Sequence, residues 1–178
     1  DVATASATAP QQPTVEDISA EAERRQLTVM FCDLVGSTSL SQQLDPEDLR
    51  ELMRHYQDAV AGAVTRYGGH IAKYLGDGVL AYFGWPQAYE DQAERAVRAG
   101  LDAVEAVQAV RTEGGGRLAS RVGIASGEVI IGDLVSDIAM DADAVTGETP
   151  NLAARLQTIA EPDQVIIGNN VEMRGWTP

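Results

Sequence analysis

Residues 27–32 run LTVMFC, six apolar or β-branched positions without a break, and the chain then meets Asp33. Such a run predicts a buried central strand, here ending in a carboxylate. Ser37 and Thr38, just after Gly36, are placed to cap a short helix, and Pro46, Glu47 and Asp48 form the acidic first turn of a longer one. That helix carries Leu49, Leu52, Met53, Tyr56, Val60, Ala63, Val64 and Tyr67 at three-to-four spacing and is expected to stop at Gly68 and Gly69. Segments 71–75 and 79–83 flank Gly76-Asp77-Gly78, which predicts a hairpin with Asp77 at its tip. A second amphipathic helix follows Pro86, with Ala93, Ala96, Val97, Leu101, Val104 and Val107 on one face, before the glycines at 114–116. Segments 121–125 and 129–132 then suggest a pair of strands around Ser126-Gly127-Glu128. A helix over 150–159 and a strand over 164–167 close the pattern. The order β, α, β, β, α, β, β, α, β predicts an α+β fold: a ferredoxin-like sandwich whose mixed or antiparallel sheet has helices packed on one face.

Composition narrows the function. A chain of 178 residues with 44% hydrophobic content can bury the core of one domain. Residues 1–22, rich in Ala, Thr, Pro and Gln without periodicity, are expected to be a flexible linker, leaving 23–178 as the domain. Thirteen Lys and Arg against 27 Asp and Glu give a formal charge of −14, which disfavours a nucleic-acid partner. An anionic substrate must therefore be received locally, by metal ions and a few placed cations. Cys32 is the single cysteine, so no internal disulfide can form, and the sequence has neither an apolar run of membrane-spanning length nor a signal-peptide pattern. A cytoplasmic location is the expectation.

Three segments carry candidate chemistry. FCDLVGST delivers Asp33 into a glycine turn and a helix start, where backbone N–H groups can meet phosphate oxygens and the carboxylate can ligate Mg²⁺ or Mn²⁺. KYLGDG sets Asp77 at a hairpin tip, and two carboxylates from neighbouring strands can hold two metal ions for phosphoryl transfer. Singly, each has a plain structural explanation: Asp33 as a helix cap, Asp77 as a turn residue. In VTGETPNLAARL, Asn151 and Arg155 lie four apart on one helical face, a pairing that on most helices is solvated surface.

Taken together, and with RVGIASGEV between the second and the third, these segments resemble the class III adenylate and guanylate cyclases in the right order from about residue 24 to 168. The resemblance implies two divalent ions, Mg²⁺ or Mn²⁺, on Asp33 and Asp77, with the carbonyl of Leu34 as a further ligand. It implies that Gly36, Ser37 and Thr38 hold phosphates through the backbone and that Arg121 meets the polyphosphate. Lys73 matches a position that contacts adenine, where guanylate cyclases of this type carry Glu, so ATP is favoured. Asn151 would orient the ribose and Arg155 would stabilise charge as the 3′-oxygen attacks the α-phosphate. In this family one protomer gives the aspartates and the other gives the Lys and the Asn/Arg pair. Both sets are present here, so a homodimer with shared sites is expected.

The pattern departs from the family at two places. Ala144 stands where Asp or Thr helps read the base, which weakens the basis for choosing ATP over GTP; the overall wording is closest to the soluble-type bacterial branch that carries Thr there. The chain also reaches Pro178 without a last strand pair, and its start is consistent with a fused regulatory part. The alternatives are a guanylate cyclase, or a catalytically weak cyclase-like module for nucleotide binding or dimerisation. No GxxxxGK[ST] phosphate loop and no GGDEF-like signature occurs.

Overall fold

The computed structural model describes residues 24–112, 114–130 and 147–173. β1 (Arg24–Leu34) is followed by α1 (Ser37–Gln43), α2 (Pro46–Arg66), β2 (His70–Leu75), β3 (Gly78–Phe83), α3 (Gln92–Ala109), β4 (Ser120–Ile130), α4 (Glu148–Ile159) and β5 (Val165–Ile167). The sheet order is β2-β3-β1-β4-β5, antiparallel throughout except for the parallel pair β4-β5. The unbroken apolar run thus forms the central strand. The first four strands have the split βαβ topology of the ferredoxin-like sandwich, and β5 extends its edge.

Alternation along β1 divides the core into two layers. Met30, Cys32 and Leu34 face α2 and α3, where Tyr56, Val60, Val64, Phe83, Val104 and Val107 are buried with them. Leu27 and Val29 face the other way, with Leu80, Tyr82, Ala125, Val129 and Ala153. Burial of each such large side chain contributes about 1.5–3 kcal/mol relative to exposure.

Two details differ from the sequence expectation. The helices do not share one face: α4 packs on the side opposite α2 and α3, over β4 and β1. Nor does Ser126-Gly127-Glu128 turn the chain. β4 runs straight through it, paired with β1 from Leu34↔Ser120 to Arg24↔Ile130. Glycines accommodate the close approach of α4 to β4. A Cβ at Gly127 would lie 2.4 Å from the Thr149 hydroxyl oxygen, and one at Gly123 would lie 2.2 Å from the Ala153 carbonyl oxygen. The missing side chains leave the room that lets α4 lie directly against the strand.

Candidate active site

Asp33 lies near the C-terminal end of β1, beside two donors from different elements. Arg121 is its register partner on β4, and its Nη2 donates to Asp33 Oδ2 at 2.9 Å. Gln157, from the buried side of α4, donates Nε2 to the same oxygen at 3.1 Å. The Asp33 side chain is 18% exposed and that of Arg121 30%. Burial, and then repulsion from the Asp77 carboxylate, push Asp33 above the usual carboxylate range; the Arg121 hydrogen bond and charge oppose the rise.

Asp77 occupies the β2–β3 tip, as expected. Gly76 takes the left-handed conformation there with φ 63°, and Asp33 pairs with Gly78, which sets the two carboxylates side by side. The Asp77 carbonyl accepts the Leu34 N–H at 3.1 Å. Ser37 does not cap α1. It is the first residue of that helix, Gly36 holds the N-cap position at φ 73°, and the Ser37 hydroxyl instead donates to Asp77 Oδ2. The glycine turn and the hairpin tip are thereby fastened together. Gly36 and Thr38 are exposed beside it.

Lys73 is the register partner of Leu80, just past a β-bulge, and so lies half-buried on the α4 face of the sheet, as do Asp33 and Arg121. Asn151 and Arg155 are exposed on α4, on the side away from the buried Ala153 and Gln157. Asp33, Asp77, Ser37 and Arg121 therefore converge within one chain, whereas Asn151 and Arg155 point outward from it. Ala144 lies outside the described residues.

Sequence reasoning missed Gln157. Its signal was the spacing Thr149, Ala153, Gln157, a four-residue repeat that is buried along its length.

The donor set fits a small hard cation. Two neighbouring carboxylates repel one another, and a divalent ion between them would remove that repulsion. Among the described residues no third His, Cys, Asp or Glu joins them. That suits Mg²⁺ or Mn²⁺, which binds through one or two carboxylates and completes its shell with water and substrate phosphate. A separate cavity of about 790 Å³ opens near the other end of β1. Its lining includes Glu90, Asp91, Glu94 and Glu172, whose negative charge disfavours a polyphosphate there.

The five-stranded α+β sheet, with two carboxylates brought together beside a glycine turn, agrees with the architecture that the resemblance to the class III cyclases implies. Residues 20–175 match the model of the adenylate and guanylate cyclase catalytic domain, and the chain belongs to that family. It is 36% identical over 145 residues to an adenylate cyclase of Streptomyces coelicolor, covering 80% of this chain and 32% of that protein. Among solved structures it is similar to the adenylyl cyclase CyaB from P. aeruginosa, at 32% identity and TM-score 0.74, over 85% of this chain and 80% of that one. It is equally similar in fold to the guanylyl cyclase Cya2, at 30% identity and TM-score 0.74, over 84% and 78% of the two chains. The chain spans between 14% and 28% of the length of the first curated relatives it matches. Among the described residues no helix is long and apolar enough to cross a membrane.

Proposed function

We propose that this domain is an adenylate cyclase, converting ATP to 3′,5′-cyclic AMP and pyrophosphate at sites shared across a homodimer. The observation that carries the reading is the convergence of Asp33 and Asp77, with Arg121 donating to one carboxylate and Ser37 to the other. When bound there, divalent ions supply activation of the ribose 3′-oxygen and neutralisation of the polyphosphate. Asp33 and Asp77, with the Leu34 carbonyl, would hold them. Gly36, Ser37 and Thr38 orient phosphate oxygens, and Arg121 offers a guanidinium to the same charge. Lys73 contacts the base and favours adenine over guanine, while Ala144 offers that choice no hydrogen bond. Asn151 orients the ribose, and Arg155 stabilises the charge that develops at the α-phosphate.

The outward direction of Asn151 and Arg155 supports the shared site, because a second copy must bring these two residues to the carboxylates of the first. α4 covers β4 and β1, and Lys73 lies on β2, two strands away from β1 in the sheet. Mixing Asp33→Ala protein with Asn151→Ala protein tests the arrangement. Half of the randomly formed dimers are mixed and each regains one intact site, so activity returns to about a quarter of the wild-type rate. A mixture no more active than either variant alone refutes shared sites.

A further inference from the structure

Gln157 is 6% exposed and lies on the sheet-facing side of α4, where a primary amide without a partner would be costly. Its Nε2 donates to Asp33 Oδ2, the oxygen that also receives Arg121 Nη2. Neither donor takes Oδ1. Two donors arriving from different elements, β4 and α4, fix the rotation of the carboxylate, since a single bond would leave it free to swing about its Cβ–Cγ axis. The two are not equivalent. The Arg121 charge competes with any cation for Asp33, whereas the neutral amide of Gln157 holds the group without opposing a second positive charge. Gly123 makes the contact reachable: a Cβ there would meet the Gln157 backbone nitrogen at 2.3 Å and its Cα at 3.0 Å.

We propose that Gln157 is a positioning residue for the cation-binding carboxylate, holding Asp33 by Oδ2 so that Oδ1 is presented to the ion. The proposal rests on the reading of Asp33 as a metal ligand and adds to it the residue that aims the ligand. A partner that orients a ligating side chain typically changes metal affinity by about 10–100-fold when removed. Gln157→Met keeps nearly the same volume and deletes the donor. Gln157→Asn keeps the amide on a side chain one methylene shorter.

The test titrates Mn²⁺ alone into the purified protein, with free Mn²⁺ read by electron paramagnetic resonance, beside thermal melting of each variant. Both substitutions are expected to weaken Mn²⁺ binding about tenfold, and to raise the Mn²⁺ concentration for half-maximal turnover by a similar factor while the nucleotide KM changes less than twofold. Mn²⁺ binding equal to wild type in folded variants would overturn the proposal and leave Gln157 a satisfied buried amide. So would a wild-type protein that binds no Mn²⁺. A wild type that binds Mn²⁺, loses it in both variants and yields no cyclic nucleotide would sustain the positioning role and refute the proposed activity, which keeps the two readings separable.

Discussion

Gly123→Ala is the substitution for which the structure sets the clearest magnitude. The added methyl would lie 2.2 Å from the Ala153 carbonyl oxygen and 2.3 Å from the Gln157 nitrogen, both backbone atoms that cannot swing aside. Ordinary contact begins at 3.4 Å, so α4 must retreat by about 1.2 Å or the strand must bend away by as much. Forced overpacking of this kind costs about 1–3 kcal/mol. The same retreat would stretch the 3.1 Å hydrogen bond from Gln157 to Asp33 beyond useful length. Stability and metal affinity should therefore fall together, although residue 123 touches no substrate in the proposed mechanism. Urea unfolding reads the first effect as a lower midpoint at unchanged slope, and Mn²⁺ titration reads the second as about tenfold weaker binding. A variant with the wild-type midpoint and wild-type Mn²⁺ binding would refute the claim that glycine at this position sets the height of α4 over the sheet.

Other consequences can be measured on the same protein. Gly62→Ala should do the reverse of Gly123→Ala, raising stability by about 0.5–1 kcal/mol in urea unfolding. Gly62 lies inside α2, and nothing lies within 4 Å of its added Cβ. Cys32 is fully buried, and desolvation pushes its thiol up to about 12 from 9.0. Between those values the folded chain keeps a proton that the unfolded chain has released, so stability should fall as pH rises from 9 towards 12. Cys32→Ala should make that decline shallower in urea midpoints taken at several pH values, and an unchanged slope would contradict the assignment.

Much of the fold was legible because its signals are local. The period of α2 and α3, the glycines around Asp77 and the apolar run before Asp33 each state their own structure without help from the rest of the chain. Gly123 and Gly127 carry no such local meaning. Glycine beside Ser126 and Glu128 has the composition of a turn, and only the pairing with β1 and the approach of α4 reveal it as clearance for a helix. The side of the sheet taken by α4 was hidden for the same reason. Asp33 and Asp77 could be singled out from sequence only in combination with the other motifs, since alone the first reads as a helix cap and the second as a turn residue. The Arg121 to Asp33 contact depends on strand register across 88 residues, and the Gln157 contact on helix placement across 124. Ser37 was read as a helix cap, and its bond to Asp77 follows from the hairpin tip folding against the glycine turn.

Adenylate cyclase activity is tested most directly by product identification. The protein is incubated with Mn²⁺ or Mg²⁺ and either ATP or GTP, and the products are resolved by mass. ATP should yield 3′,5′-cyclic AMP with equimolar pyrophosphate, GTP much less cyclic GMP, and Asp33→Ala or Asp77→Ala protein neither product. Cyclic GMP as the main product would contradict the role given to Lys73. No cyclic nucleotide from a dimeric protein that binds Mn²⁺ would contradict the activity itself.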